Sequence, residues 1–479
     1  MPPVRTLAVL PFTPVGQADP VLEIGLADTL IGRLGGLRDL TVRPLGAVRS
    51  FSGANRDAIA VGRQLKVDAV LEGTVERRGG TTHVQANLVR VADEVVIWSA
   101  AFNAPGDGLL RLQDALVAQI ASALLPKTGG SPSPRVNTVG TGNPLAYDAY
   151  LKGRYFFARR DRQSLLRAME HLETAVRLDR GYALAHNALA DVYHSLGGSG
   201  FAPQQVMIPK TKLQAHTAHE LDPTLADPWA TLALIAMNYD WEWDEAERLY
   251  RRAIALDPNH ATAHAWYGEF LGYMGAFDEG LAELRLAHTL DPLSLVIATD
   301  IGRVLILARR YDEAIREIGS VLDVDPTFQR GRAWMAVALS MAGRHDEAFR
   351  YVVAPESTRD EADHCLTLAQ MLARAGRVEE AESRIRQARE AERASGSYHY
   401  PPAHAIAYGY VGDLDKGFAE LERMIEERTT NVINLRVDPG FDAFRRDRRF
   451  GALLERVRLA AAPNPRLPGT ATAPSGVTQ

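Results

Sequence analysis

Two histidine pairs have the spacing that comes nearest to a metal or catalytic motif. His260 and His264 are four residues apart and His216 and His219 are three apart. On a helix each pair lies on one face and could chelate zinc. Neither first histidine is followed by the glutamate of a metalloprotease, and the sequence shows no third ligand. We therefore predict that these histidines are surface or packing residues and that no residue binds metal.

The remaining candidates for chemistry are two glycine clusters and one acid. The clusters at 140–142 and 197–200 lack the Lys-Ser/Thr of a phosphate loop, so we predict flexible connectors, the second an exposed insertion. Glu72 could be a lone functional acid on a strand, although glutamate usually lies on a solvated face or near a turn. With no Gly-x-Ser-x-Gly elbow in the sequence, we predict no catalytic residue and no cofactor.

Composition narrows the class of protein. A chain of 479 residues with 46% hydrophobic and 24% charged residues is long enough for two or more folded domains. A net charge of -5 gives no basic face for phosphate backbones, so direct nucleic-acid binding is not expected. The single cysteine, Cys365, excludes an internal disulfide. No signal peptide and no apolar run of roughly 20 residues are present. We predict a soluble, cytoplasmic chain with no membrane segment.

A repeat with a period near 34 residues dominates the second part of the sequence. Asp-Pro pairs recur at Asp222-Pro223, Asp257-Pro258, Asp291-Pro292 and Asp325-Pro326. A small residue follows an acidic pair at Ala246, Gly280, Ala314, Ala348 and Ala381, and follows Asp415-Lys416 at Gly417. Acidic residues favour a helix start, and proline cannot continue a helix. Two patterns with one shared period of about 34 residues indicate tetratricopeptide (TPR) units, each a pair of helices.

The amino-terminal part has a different pattern. We predict strands at 6–12, 40–48, 69–77, 82–91 and 95–102, and helices at 21–37, 56–65 and 109–124. The predicted order is β-α-β-α-β-β-β-α, with the last three strands forming a meander. The predicted domains are an α/β domain at 1–126, a flexible linker at 127–142, an all-α TPR superhelical solenoid at 143–459 and a disordered tail at 460–479. The solenoid has about eight units with carboxyl-terminal capping helices.

The inner face of a TPR solenoid is lined by the first helix of each unit. With Gly268 and Gly302 as register marks, we predict that groove residues have mixed character and bind a protein or peptide. They are Thr231, Ile235, Asn238, Thr262, Glu269, Tyr273, Thr299, Arg303, Val337 and Ser340. This set shows no carboxylate-clamp pattern of Lys, Asn and Arg. Most tryptophans fall at helical spacings that favour a place between units in the core.

Several segments resemble the TolB-like amino-terminal domain that precedes TPR arrays in bacterial signalling proteins. They are Leu7-Ala-Val-Leu-Pro-Phe12, Gly25-Leu-Ala-Asp-Thr-Leu30, Val70-Leu-Glu-Gly-Thr-Val75, Ile97-Trp98 and Leu112-Gln-Asp114. The ending Val437-Asp-Pro-Gly-Phe-Asp442 followed by Arg448-Arg-Phe450 is similar to the close of the same proteins. The resemblance implies a regulatory, partner-binding protein. Relatives commonly carry a winged-helix, adenylyl cyclase or kinase domain ahead of this part, and we expect none here.

The sequence leaves three hypotheses for function. The first is a non-enzymatic scaffold that acts as the regulatory or sensory part of a bacterial signalling system. The second is the detached sensor half of a transcriptional regulator or adenylyl cyclase. The third is an unrecognised enzyme in the α/β domain. The oligomeric state, the signal and the identity of the partner are left open.

Overall fold

The computed structural model describes residues 3–16, 19–37, 40–53, 56–105, 108–124, 140–199, 201–352, 358–395 and 401–460. The chain divides into two compact units. Unit 1 comprises Met1–Ala233, Leu249–Ala263 and Thr289–Ser294, and unit 2 comprises Leu234–Arg248, His264–His288 and Leu295–Gln479.

The amino-terminal domain in unit 1 is built on one mixed sheet. Its strands are β1 (Thr6–Val9), β2 (Thr13–Pro14), β3 (Thr41–Val42), β4 (Ala69–Arg78), β5 (Thr81–Arg90) and β6 (Val96–Pro105). The strand order is β3-β1-β4-β5-β6, and β2 also pairs with β4. β1 is parallel to β3 and β4, while β4, β5 and β6 form the antiparallel meander that the sequence predicts. The predicted α/β class of this domain is confirmed.

Four helices accompany the sheet. They are α1 (Pro20–Leu34), α2 (Leu45–Val48), α3 (Ala58–Gln64) and α4 (Leu109–Leu124). Apolar residues of α1 and α4 share a core with Leu7, Val9 and Leu71, whereas Ala8, Leu10 and Val70 share a second core with α2 and α3. Helices therefore cover both faces of the central strands, because adjacent residues of a strand point to opposite faces.

The predicted strand at 40–48 is wrong over most of its length. Only Thr41–Val42 pairs with β1, and Leu45–Val48 is a helical turn. Pro44 is the residue that starts this turn, and a proline has no N–H group for a sheet hydrogen bond. The apolar pattern of Leu40, Val42 and Leu45 does not distinguish a strand from a strand that turns into a helix.

The rest of the described chain is helical and confirms the predicted all-α solenoid. In sequence order the helices of the first four pairs are α5 (Pro144–Phe157), α6 (Arg162–Leu178), α7 (Ala183–Gly198), α8 (Gln204–Leu221), α9 (Asp227–Ile235), α10 (Trp243–Leu256), α11 (Ala261–Tyr273) and α12 (Phe277–Leu290). Those of the next four pairs are α13 (Leu295–Leu307), α14 (Tyr311–Val324), α15 (Gln329–Met341), α16 (His345–Ala348), α17 (Thr358–Arg374), α18 (Val378–Ser395), α19 (Pro401–Val411) and α20 (Leu414–Glu426). The first helix of each pair is called helix A below and the second helix B.

Unit 1 joins the sheet domain to the first repeats through a single core. The cluster that contains Leu26 and Leu116 of the sheet domain also contains Leu151, Leu172 and Leu189 of the helix pairs. A methyl group at Gly25 of α1 would stand 2.9 Å from the Leu151 side chain, so α1 and α5 pack closely. The domain and linker boundaries at residues 126, 142 and 459 stay predictions.

Two further predictions concern glycine clusters near this core. Of the predicted linker, residues 127–139 lie outside the described residues, whereas Thr141 contacts Asp179 and accepts a hydrogen bond of 3.0 Å from the Asn143 amide. The predicted exposed loop at 197–200 is partly wrong, because α7 continues through Gly198, while residue 200 lies outside the described residues. Gly197 is buried against Met207, where a methyl group would stand 3.1 Å from its Cβ.

Unit 2 ends in a segment that follows α20. It contains two 3₁₀ helices, Thr430–Arg436 and Pro439–Phe444, and α21 (Arg448–Arg456). The Phe444 ring packs against Gly409 and Gly417 of the last helix pair and lies 5.2 Å from the Phe418 ring. We call residues 428–459 the return segment, because they also contact earlier turns of unit 2.

Two arginines attach the return segment to turns between helix A and helix B. Arg428 donates to the Tyr239 carbonyl (2.8 Å), and Arg436 donates to the Met274 carbonyl (3.0 Å). The Arg428 guanidinium also lies 4.8 Å from the Trp241 ring centre. These contacts hold the first part of the return segment against two successive repeats.

Two more contacts involve later residues of the return segment. Asp442 forms an ion pair with Arg309 (2.8 Å), and the Val457 carbonyl accepts a hydrogen bond from Trp243 Nε1 (3.1 Å). The paired residues are 133 and 214 positions apart in sequence. Unit 2 is therefore held together by long-range contacts in addition to those between neighbouring repeats.

Candidate partner-binding groove

Glycines fix which side of helix A faces helix B. A methyl group at Gly268 would stand 2.7 Å from the Gly280 carbonyl oxygen and 2.8 Å from the Leu284 side chain of α12. A methyl group at Gly302 would likewise collide with Ile318 of α14. Successive residues of a helix are rotated by about 100°, so the side chain after each glycine points away from helix B. Those next side chains are Glu269 and Arg303.

The two predicted groove residues Glu269 and Arg303 form an ion pair within unit 2. Asp300 joins the same network, 3.6 Å from Arg303 and in direct contact with Arg330 of α15. The side chains of Glu269, Arg303 and Asp300 retain 14%, 14% and 5% exposure, whereas Arg330 retains 40%. The repeat register predicts Glu269 and Arg303, but it contains no signal for Asp300 or Arg330.

Two aromatic rings enclose the Arg303 guanidinium. The ring centre of Tyr273 lies 5.3 Å from it and that of Trp334 lies 5.8 Å from it. A cation held this close to two ring faces gains attraction from both quadrupoles, which is typically about 0.5–2 kcal/mol for each ring. Arg303 therefore connects α11, α13 and α15, the helices A of three successive repeats.

Burial and like charge set the protonation of this network. Burial raises the pKa of Glu269, Arg303 lowers it and Asp300 raises it, with a net increase above the ordinary carboxyl value. Burial opposes the charge on Arg303, but the Glu269 and Asp300 carboxylates keep its pKa above the ordinary value. The guanidinium is thus the fixed charge of the network, and the proton, when one binds, resides on a carboxylate.

The other predicted groove residues of unit 2 differ in exposure. Ile235, Thr299 and Ser340 are buried, while Asn238 and Val337 are partly exposed. The Thr299 hydroxyl donates to the Leu295 carbonyl in its own helix (2.7 Å), and Ser340 accepts from Arg374 (3.0 Å). Buried residues of this kind position the groove wall, and the binding role of the predicted set stays a prediction.

In unit 1 the predicted groove residue Thr231 contacts a carboxylate that no sequence pattern singled out. Thr231 is buried and donates to Asp191 of α7 (3.3 Å), and Thr262 is exposed. Asp227, the first residue of α9, pairs with His260 Nε2 (3.1 Å). The Ala263 amide donates to His260 Nδ1 (3.1 Å), so His260 caps the start of α11.

Helix α1 of the sheet domain covers helix A of the first repeat. Asp28 accepts two hydrogen bonds from Arg154 (2.8 and 3.0 Å), and Thr29 is hydrogen-bonded to the Tyr147 hydroxyl (2.8 Å). Arg154 follows Gly153, which is packed against Leu172 of helix B, just as Arg303 follows Gly302. This Gly-Arg pattern was the available signal for Arg154 in the sequence.

Three of the four histidines of the two pairs contact other side chains. His264 is buried and bonded to Glu283 (2.5 Å), whereas His260 is bonded to Asp227. The His219 ring lies 4.0 Å from the Trp229 ring. Over the described ranges, no three His, Cys, Asp or Glu side chains are placed to hold a metal ion. In the same ranges, no helix combines the length and the apolar character that crossing a membrane needs.

Two family models match parts of the chain. Residues 4–119 match the second domain of HilA/YgeH-like transcriptional regulators, and residues 242–292 match the tetratricopeptide repeat. The predicted architecture of a small regulator-type α/β domain followed by TPR repeats is confirmed. The amino-terminal match is to a HilA/YgeH-like domain, whereas the sequence segments resemble TolB-like domains.

One curated relative and two solved structures illustrate the similarities. The relative is "Putative adenylate cyclase 3" of Rhizobium meliloti (strain 1021), 28% identical over 193 residues, which are 40% of this chain and 33% of that protein. This chain thus spans about a third of the relative's length. A thermophilic TPR protein of Thermus thermophilus is 18% identical with TM-score 0.35, covering 40% of this chain and 98% of that one. The human IFIT1 dimer is 16% identical with TM-score 0.43, covering 66% and 78%.

Proposed function

We propose that this chain is a non-enzymatic interaction protein that binds an extended segment of a partner protein along helix A of its repeats. In a bacterial signalling system it acts as the regulatory or sensory part. The observation that carries the proposal is the network around Arg303. Polar and aromatic side chains of three successive helices A converge there, and Arg330 remains 40% exposed at its edge.

The network has the features of a recognition surface. Its carboxylates and guanidinium groups are oriented by one another before any partner binds, which lowers the entropy cost of binding. Arginine and aromatic residues are also enriched among the residues that dominate interface energies. An extended segment can form hydrogen bonds with such side chains at regular intervals.

The proposal is tested with two arginine variants in unit 2. Arg330→Glu reverses a charge at the edge of the network. Arg344→Glu reverses a charge of similar exposure (44%) just before α16, where Arg344 pairs with Glu347. The tagged wild-type chain and both variants are incubated with lysate of the source cell, cross-linked and analysed by mass spectrometry. We expect the wild type and Arg344→Glu to capture the same partner protein. Arg330→Glu should capture at least about tenfold less of it, because a charge pair with the partner is lost.

Two results would contradict the proposal. One is that no protein is enriched by the wild type over an empty matrix. The other is that both variants capture the partner equally well. Circular dichroism of each variant before the experiment shows whether the fold is intact.

A second candidate function is the detached sensor half of a transcriptional regulator or adenylyl cyclase. The match of residues 4–119 to a regulator domain and the partial match to the Rhizobium protein favour it. It predicts a physical complex with a separate output domain. A regulator or cyclase among the captured proteins would support it, and capture of unrelated proteins alone would reject it.

A further inference from the structure

One carboxylate in unit 1, that of Asp191, is partly buried, and no cationic side chain of the described residues is bonded to it. Asp191 lies on α7, and its hydrogen bond in the described residues comes from the Thr231 hydroxyl of α9 at 3.3 Å, a long contact from a neutral donor. Thr231 is one of the predicted groove residues, so its contact places Asp191 on the side of the repeats where we propose that a partner binds. A carboxylate that loses part of its water shell normally acquires stronger donors than this.

An acceptor with no donor among the described residues lies one helical turn away. Asn187 precedes Asp191 by four residues on α7, and residues at this spacing share a face of the helix. Asn187 is 6% exposed, and its Oδ1 has no hydrogen-bond donor within the described part of the chain. A buried carbonyl oxygen beside a carboxylate would be satisfied by a ligand that carries several N–H groups.

The charged groups near Asp191 already have other partners. Arg154 is bonded to both oxygens of Asp28. Arg160 donates to the Ser195 hydroxyl (3.0 Å) and lies 3.8 Å from the Phe157 ring centre. The Asp227 carboxylate, whose side chain is 51% exposed, adds a second negative charge and is bonded to His260.

The pKa of Asp191 agrees with this geometry. Burial and the nearby Asp227 carboxylate raise the pKa of Asp191 to about 6, although Arg154 and Arg160 act in the opposite direction. The native state therefore carries an incompletely compensated carboxylate at neutral pH. Binding a positive charge would remove that penalty.

From these observations we infer that Asp191, with Asn187 and Asp227, forms a site for one cationic side chain, a lysine or arginine of the bound partner segment. The inference deepens the proposed function and rests on it. A metal ion is the poorer candidate, since no three metal-ligating side chains come together in the described ranges. An ammonium or guanidinium group supplies both the charge for Asp191 and the N–H donors for Asn187.

The test uses short blocked peptides and the full chain. Acetyl-Gly-Arg-Gly-amide, its lysine equivalent and the citrulline equivalent, which has nearly the same shape without the charge, are titrated by calorimetry or NMR at pH 7.5. We expect saturable binding of the arginine or lysine peptide and at least about tenfold weaker binding of the citrulline peptide, as for a charge-assisted hydrogen bond.

Two matched variants locate the site. Asp191→Asn should weaken binding of the cationic peptide at least about tenfold. Asp148→Asn removes the same charge from α5, where Asp148 is 46% exposed and pairs with Lys152, and should leave binding unchanged. Asp227→Asn should give a smaller loss than Asp191→Asn.

The inference is overturned by equal binding of the arginine and citrulline peptides, by the absence of saturable binding, or by equal losses in the Asp191 and Asp148 variants. Its failure is distinguishable from failure of the proposed function. If a partner is captured and lost with Arg330→Glu while the cationic peptide does not bind, the proposed function stands and this site is rejected.

Discussion

The Asp28–Arg154 pair joins the sheet domain to the first repeat of unit 1. The side chains of Arg154 and Asp28 retain 25% and 9% exposure, and the contact is bidentate. We expect Asp28→Asn to destabilise unit 1 by about 3 kcal/mol, because it leaves a largely buried guanidinium without its counter-charge. Chemical denaturation followed by far-ultraviolet circular dichroism measures the loss.

The double variant separates this effect from loss of packing. Asp28→Leu with Arg154→Met replaces both charges with apolar groups and should recover at least half of the lost stability. The Asp148–Lys152 pair on the surface of α5 is the comparison, since removing it should change stability by less than about 0.5 kcal/mol. Equal losses at the buried and surface pairs would contradict the prediction.

The protonation of Asp191 should make the free energy of unfolding depend on pH. Its pKa of about 6 in the folded chain exceeds the ordinary 3.8, so the folded state disfavours the ionised form. The cost is complete above about pH 6 and absent below about pH 4, because the group is then protonated in both states. We expect Asp191→Asn to raise the free energy of unfolding by about 1–3 kcal/mol at pH 7.5 and not at pH 4. A stabilisation that does not change with pH would contradict this assignment.

The period of 34 residues explains which site residues the sequence could predict. Glu269 and Arg303 follow Gly268 and Gly302, so the register alone placed them side by side on adjacent helices A. Asp28 could not be found in this way, because its partner Arg154 lies 126 residues later in another domain. A pairing of this kind depends on how two domains pack, and a single sequence does not contain that information.

Close contact between helix A and helix B leaves no room for a side chain at Gly268. A methyl group there would stand 2.7 Å from a backbone oxygen of α12, which cannot move as a flexible side chain can. We expect Gly268→Ala to lower the stability of unit 2 by about 2–3 kcal/mol through the forced separation of the helices.

Gly319 in α14 is the matched control for Gly268. Its nearest neighbour in space would lie 3.9 Å from an added methyl group. Gly319→Ala should therefore stabilise the chain by about 0.5–1 kcal/mol, since alanine is the better helix former. Thermal unfolding of both variants is the measurement, and a loss of stability for Gly319→Ala would refute the packing argument.

The elements also show where sequence patterns are sufficient. The meander β4-β5-β6 and the helix pairs followed from the apolar period and the turn residues, and both are confirmed. The structure of segment 40–48 did not follow from the sequence. Its short apolar pattern fits one long strand as well as a two-residue strand followed by a helical turn. In the structure this strand is limited to Thr41 and Val42, the two residues that pair with β1.

The return segment connects parts of unit 2 that are distant in sequence. We expect the double variant Arg428→Ala, Trp243→Phe to lose both its hydrogen bonds to the Tyr239 and Val457 carbonyls and the contact with Trp241. The expected cost is about 1–3 kcal/mol. Hydrogen exchange should increase at residues 236–243 and across 428–459 together.

The control for this prediction is Arg423→Ala on α20, an exposed residue, which should leave exchange unchanged. Faster exchange confined to the return segment, with 236–243 still protected, would show that the two parts are not coupled. The repeat pattern predicts contacts between neighbouring units and nothing more. The contacts of the return segment were therefore beyond what the sequence could indicate.

The return segment also affects how the protein folds during translation. Ribosomes synthesise the turns at 239–243, 274 and 309 well before residues 428–459, at about 5–20 residues per second. For roughly ten seconds or more at that speed the nascent repeats carry Trp241 and Trp243 without the groups that later cover them. We expect chaperones to bind these uncovered tryptophans during translation. In cells with too little chaperone, aggregated chains should appear before soluble inactive chains do.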